Sequence, residues 1–166
     1  EDFSNEILEG ATHILSCIPP NANGKDPVLS KIENKLLNLK QLKWVGYLST
    51  TGIYGDTKGS WVDENTTPNP QQDRSIRRFS CERKWLGTNL PIQILRLPGI
   101  YGPKRSVFES LLNGTTKMID KPGQVFSRIH VDDIAGSVYF LINLYSQGKN
   151  PLVVNIADNL PTNNLD

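Results

Sequence analysis

Cysteine is scarce in this chain: Cys17 and Cys81 are the only two in 166 residues. They form no disulfide framework and show no metal-ligand spacing, so a structural zinc site is not expected. Their use fits a reducing compartment, and a cytoplasmic location is the expectation. An excess of charge of one sign is also missing. Lys and Arg total 18 against 17 for Asp and Glu, a net charge of +1. The two signs are interspersed, which argues against nucleic acid or an anionic membrane as partner. No apolar run exceeds strand length, so no membrane-spanning helix is predicted. The first residues, Glu1-Asp2-Phe3-Ser4-Asn5-Glu6, are acidic and polar, and no basic stretch followed by an apolar one marks a secretory leader. The sequons Asn65-Thr66-Thr67 and Asn113-Gly114-Thr115 read as chance matches.

What remains is the pattern of an α/β domain long enough to bury a real core. A first strand is predicted over His13-Ile14-Leu15-Ser16-Cys17-Ile18. After a loop, Asp26 is placed to cap a helix with Pro27 in its first turn, and Val28, Leu29, Ile32, Leu36, Leu37 and Leu39 recur at helical spacing to about Lys40. A second strand covers Lys43 to Ser49. Residues 56–72 are rich in Thr, Asn, Pro and Gly and read as a long loop of the functional kind. A helix from about Gln71 to Leu86 is expected to carry Ile76, Phe79 and Leu86 inward. A third strand runs from Ile92, and a short helix holds Val107, Phe108, Leu111 and Leu112 until Gly114 stops it. A last helix spans Asp132 to Tyr145, with Asp132 expected as its cap and Ile134, Ala135, Val138, Leu141 and Ile142 apolar. A final strand covers Leu152 to Ile156. Strands alternating with helices predict βαβ units and a parallel sheet.

Two of these strands end in the same four residues. Trp44-Val45-Gly46-Tyr47-Leu48-Ser49-Thr50-Thr51 runs into Gly52-Ile53-Tyr54-Gly55, and Ile92-Gln93-Ile94-Leu95-Arg96-Leu97-Pro98 runs into Gly99-Ile100-Tyr101-Gly102-Pro103. In an α/β sheet, ligands sit beyond the carboxyl ends of parallel strands, where hydroxyls and glycines of this kind would face them. With Phe126-Ser127-Arg128-Ile129-His130-Val131-Asp132-Asp133-Ile134-Ala135, these segments resemble in order and spacing the extended short-chain dehydrogenase/reductases, the NAD-dependent epimerase/dehydratase family. The resemblance covers nearly the whole chain.

It also exposes what is missing. The family opens with a strand, a Gly-x-x-Gly-x-x-Gly turn and a helix that holds the cofactor pyrophosphate. Here Gly10, the first glycine, is followed by no such trio. Residues 1–166 are therefore read as an internal fragment of one NAD(P)-binding, partial Rossmann-like, doubly wound parallel sheet, with about 102–131 contributing to a substrate-side lobe. The first strand would be left as an uncovered apolar edge, and self-association of the isolated chain is expected.

The resemblance also implies a site. Thr50, flanked by Ser49 and Thr51, matches the hydroxyl that hydrogen-bonds the substrate oxygen. A hydroxyl both donates and accepts without changing charge, whereas the plainer reading is that β-branched Thr favours strands. The family's proton donor is a Tyr followed four residues later by a Lys on a helix. Tyr54 and Lys58 have that spacing, but across Gly55 and in a loop. Tyr101 is followed at the same spacing by Arg105, again across a glycine. At the family's own position, aligned through Glu82, the Tyr is Arg74 and the Lys is Arg78. A guanidinium stays protonated and cannot cycle a proton, although the two could clamp an anion or simply form a solvated basic face.

The backbone of Cys17-Ile18-Pro19 corresponds to a contact with the cofactor ribose. Pro98, Gly99 and Tyr101 belong to an Arg-x-x-x-x-Tyr-Gly-Pro exit bordering nicotinamide and substrate, or form only a structural turn. Arg128 matches a position used against a substrate diphosphate, with a structural arginine as the plainer alternative. Thr51 and Arg74 fall on the substrate side, and Ser49 and Arg78 on the cofactor side. The implied activity is NAD- or NADP-linked oxidoreduction or epimerisation of a small hydroxyl- or carbonyl-bearing substrate, a sugar nucleotide among the candidates. The isolated chain is expected to be inactive, and a homodimer is the assembly to look for. The alternative is a non-catalytic dinucleotide-binding sensor or scaffold that has lost Tyr and Lys.

Overall fold

Four parallel strands form the central sheet in the order β1-β2-β3-β6. The computed structural model describes residues 8–115 and 124–163. The acidic start and the middle of the expected 102–131 lobe lie outside the described residues. The elements in chain order are β1 (His13–Ser16), α1 (Leu29–Leu37), β2 (Trp44–Thr50), a 3-10 turn (Thr51–Tyr54), α2 (Asp73–Leu86), β3 (Ile92–Leu97), β4 (Gly99–Tyr101), α3 (Val107–Leu112), β5 (Arg128–His130), α4 (Val131–Ser146) and β6 (Val153–Asn155). β4 and β5 pair in parallel as a separate two-stranded sheet, Tyr101 opposite His130. Neither short strand carries enough alternation to be read from sequence, and the glycines of Gly99 to Pro103 suggest a turn instead.

Alternation along the strands sorts the core into two clusters, one on each face of the sheet. Val45 and Tyr47 of β2 and Ile92 and Ile94 of β3 pack with Leu29, Ile32 and Leu36 of α1 and Cys81 and Trp85 of α2. Trp44, Leu95 and Leu97 pack on the other face with Ile134 and Leu141 of α4. Helices on both faces make this the doubly wound parallel sheet that the sequence predicts. The Trp44 indole donates to Gln93 Oε1 at 2.6 Å and folds over Gly46. A Cβ at Gly46 would stand 2.2 Å from that ring, so the position admits only glycine.

Asp26 performs its expected role by a shifted route. Its Oδ1 accepts from the backbone N–H of Val28 and Leu29, and its Oδ2 accepts from Trp85 Nε1 at 2.9 Å. A carboxylate that is 2% exposed is thus fully engaged, and it ties α1 to α2. The regular helix begins at Leu29 and ends at Leu37, with Asn38 as C-cap, short of Lys40.

Two expectations are overturned. The inward face of α2 carries Ser75, Cys81, Glu82 and Trp85, whereas Ile76 is 47% exposed and Phe79 only half-buried. The inward stripe includes a serine and a glutamate because that glutamate has a buried arginine partner, which hydrophobic periodicity cannot show. Asp132 is not the cap of α4. His130 is, its Nδ1 accepting from the Asp132 N–H at 3.3 Å, while the Asp132 carboxylate lies in the first turn. There it still complements the helix dipole.

Among the described residues β1 is an edge of the sheet, with Leu15 39% exposed. At the other end of β2, Gly55 adopts φ +74°, and a Cβ there would lie 2.1 Å from the Asn69 carbonyl oxygen. Gly55→Ala is expected to cost about 2–3 kcal/mol, combining left-handed strain with that clash. Urea unfolding of the two proteins measures it, and a loss below about 0.5 kcal/mol would show that the turn relaxes freely.

Candidate functional site

The exits of β1, β2 and β3 lie side by side because the strands are parallel and in register, with Thr50 opposite Leu97. At the end of β2 the Thr50 hydroxyl accepts from the Gly52 N–H at 3.1 Å and caps the 3-10 turn. Thr50 and Thr51 are half-buried and open to solvent on one side. Ser49 is 6% exposed, its hydroxyl beside the buried Glu82 carboxyl, so only the two threonines of the expected trio present side chains at the exit. The N-terminal part of α2 packs against this turn, and a Cβ at Gly52 would meet Ser75 Oγ at 2.9 Å.

Arg78 turns onto the sheet. Its Nη1 donates to the Leu48 carbonyl at 3.1 Å and the Tyr47 hydroxyl at 3.2 Å, and reaches the Ile18 carbonyl at 3.5 Å. The guanidinium also lies over the Tyr47 ring, 5.5 Å from its centroid. Burial pushes the Tyr47 phenol well above its ordinary range despite the neighbouring cation. One residue therefore bridges the ends of β1 and β2 and places a fixed positive charge between them. Arg74, one turn earlier, remains exposed. The structure does not bring the two arginines together on a shared partner.

Ile18 is 50% exposed, and Pro19 is exposed beside it. Past β3, Pro98 is half-buried and Gly99 exposed. Tyr101 and Arg128 belong to the small β4–β5 sheet instead. The Tyr101 ring meets His130 edge-on at 5.1 Å, and the Asp158 carboxylate holds its phenol proton and raises its pKa. Arg128 Nη1 donates to Thr162 Oγ1, and its guanidinium lies over Phe126. The Asp158 N–H donates to the Arg128 carbonyl at 2.7 Å. Arg128 thus serves as an anchor for the segment after β6.

Beneath these exits runs a buried polar chain that sequence reading missed. Arg96 Nε donates to Glu82 Oε1 at 2.7 Å, and its Nη1 donates to the Tyr54 hydroxyl at 2.8 Å. Tyr54 in turn donates to Asn155 Oδ1 at 2.8 Å. Glu82, Arg96 and Tyr54 are 0%, 5% and 4% exposed. Burial raises the Glu82 carboxyl group's pKa against the opposing pull of Arg96 and the Ser49 hydroxyl. The signals were an arginine inside the apolar strand Ile92–Leu97 and a glutamate among the basic residues of α2.

A folded-state pKa above the ordinary 4.5 means that the folded chain holds the Glu82 proton more tightly than the unfolded one. That contribution is complete below 4.5 and is lost as pH rises through the raised value. The stability difference between the parent and Glu82→Gln is therefore expected to shift against the parent as pH rises from 4.5. Urea unfolding at a series of pH values checks it, and a difference that does not change with pH would contradict the raised pKa.

No family model matches the chain, and no curated protein does. Solved structures do. A conserved protein of unknown function from Silicibacter pomeroyi DSS is 43% identical with a TM-score of 0.83, covering 93% of this chain and 54% of its own. A protein provisionally named NAD-dependent epimerase/dehydratase, from Methylobacillus flagellatus, is 25% identical with a TM-score of 0.77, covering 98% of this chain and 59% of its own. UDP-glucuronic acid 4-epimerase from Bacillus cereus, solved in complex with NAD, shares the fold at 22% identity and a TM-score of 0.71. The resemblance to the extended short-chain dehydrogenase/reductases, the NAD-dependent epimerase/dehydratase family, thus holds in three dimensions as well as in sequence. The chain spans 54–59% of the length of these three structures.

Proposed function

We propose that this chain supplies the substrate-side part of an NAD(P)-linked oxidoreductase or epimerase acting on a small hydroxyl- or carbonyl-bearing substrate. The observation that carries the reading is the junction of β1 and β2. There the Arg78 guanidinium ties the Leu48 and Ile18 carbonyls together beside the half-open Thr50 hydroxyl. The exposed residues Ile18, Pro19 and Gly99 fit the nicotinamide-ribose end of a dinucleotide. No glycine-rich turn into a helix, the usual cradle of the pyrophosphate, occurs among the described residues. The fit is thus to one end of the cofactor. NAD or NADP, when bound, would supply hydride transfer.

In this reading Thr50 orients the substrate oxygen and Arg78 fixes the strand exits and their positive potential. Arg74 remains available for an anionic group of the ligand. Similarity to enzymes solved with NAD, one of them with UDP-glucuronic acid as well, supports a dinucleotide and a sugar-nucleotide-like substrate. The Arg128 contact with Thr162 leaves the diphosphate contact as the weaker part of that reading.

A second reading is favoured by one observation. The family's Tyr and Lys positions carry Arg74 and Arg78, and Arg78 is already engaged with three acceptors. A dinucleotide-binding sensor needs no proton donor there.

Turnover separates the two. In the full-length protein that carries this chain, Thr50→Val is expected to lower kcat about a hundredfold, the scale for losing one hydrogen-bond donor to a reacting oxygen. Arg74→Ala is expected to weaken ligand affinity several-fold with stability unchanged. Unaltered kcat in Thr50→Val would contradict the role assigned to Thr50. Tight dinucleotide binding with no turnover of carbonyl substrates would establish the sensor.

A further inference from the structure

The loop of residues 56–72 leaves the end of β2 and does not stay there. Glu64, near its middle, accepts from the backbone N–H of Asn155 in β6 at 2.7 Å. Among the described residues β6 pairs with β3 on one side only, Arg96 opposite Asn155, with the Ile156 N–H donating to the Arg96 carbonyl. In a parallel ladder of this register the N–H of Asn155 itself points away from β3, toward the open edge. The loop therefore crosses the carboxyl ends of β3 and β6 to place a carboxylate on the far side of the sheet.

The same Asn155 accepts from the Tyr54 hydroxyl through its side chain. Tyr54 is the last residue of the 3-10 turn that Thr50 caps. The loop returns by a second fastening, the Asn69 N–H donating to the Ile53 carbonyl at 2.8 Å. Between the fastenings it is braced internally. Asp56 Oδ1 accepts from the Lys58 N–H, Thr57 Oγ1 donates to the Ser60 carbonyl, and Asp63 Oδ1 accepts from the Asn65 N–H and the Thr66 hydroxyl.

We propose that Glu64 is a positioning residue. By capping the open-edge N–H of Asn155 it straps the 56–72 loop across the sheet, and through Asn155 and Tyr54 it fixes the turn that carries the exit hydroxyls. Calling that turn part of a ligand site rests on the function proposed above; the strap itself does not. A carboxylate accepting from a backbone N–H forms a charge-assisted bond, stronger than a neutral one, and sheet edges are otherwise left with unpaired N–H groups.

Amide hydrogen exchange on the full-length protein that carries this chain tests this without any ligand. In Glu64→Ala the amides of Asn155, Gly52 and Asn69 are all expected to exchange roughly tenfold faster, as local opening becomes easier. Glu64→Gln, which keeps an acceptor oxygen, is expected to restore most of the protection. Faster exchange at Asn155 alone would show a local cap that positions nothing and would overturn the proposal. So would equal exchange in parent and Glu64→Ala, or a Gln variant that behaves like Ala. A dinucleotide titration that fails would refute the proposed function and leave this exchange result standing.

Discussion

The Arg96–Glu82 pair is the interaction on which the arrangement of the strand exits depends. Arg96 sits in the middle of the sheet, on a strand whose six residues are all buried. An unpaired guanidinium there would be prohibitively costly, so α2 must bring Glu82 to it. That requirement sets the rotation of α2, and the rotation then decides everything else on the helix. Cys81 and Trp85 go into the core, Arg78 goes onto the carbonyls of β1 and β2, and Ile76 is left exposed. From Arg96 the same network continues through Tyr54 to Asn155 and Glu64, linking the sheet's middle to the long loop above it.

The candidate site is thus built on a rigid base with permissive surfaces above. Thr50 caps a turn whose far end is anchored by the buried Tyr54 hydroxyl. Arg78 locks two adjacent strand ends and places its guanidinium between them. Fixed donors and charges at the carboxyl edge of a parallel sheet are what a ligand with carbonyl and phosphate oxygens requires. The small β4–β5 sheet stands apart from this base, and its Tyr101, His130 and Arg128 are held mainly by one another and by the segment that follows β6.

Much of the fold was legible because it rests on short-range rules. Helical spacing from Val28 to Leu39 marked a helix whose Leu29, Ile32 and Leu36 are buried, and the strand predicted over Lys43 to Ser49 is found at Trp44–Thr50. The doubly wound sheet followed from their alternation. What was not legible depends on pairing across long distances. Sequence pattern favours the wrong face of α2 because Ile76 and Phe79 outrank Ser75 and Glu82 on any hydropathy scale, and the partner of Glu82 lies 14 residues away in sequence. The Asn155 contacts with Tyr54 and Glu64 span 101 and 91 residues, beyond the reach of any local pattern. His130 displaces Asp132 as the cap because β5 pairing fixes His130 in extended backbone immediately before the helix. Thr50 and Arg78 were singled out as candidates by resemblance, but that Arg78 would spend its donors on strand carbonyls was visible only in three dimensions.

A double-mutant cycle between Glu82 and Arg96 tests the central claim most directly. Urea unfolding of the parent, Glu82→Gln, Arg96→Met and the double variant gives the coupling free energy. Each single change leaves a buried polar partner behind, so a loss of about 3 kcal/mol or more is expected from either, with a coupling of about 2 kcal/mol. The double variant should be less damaged than the sum of the two. Strict additivity within about 0.5 kcal/mol would contradict the account, because the pair could then not be what orients α2 and the site above it.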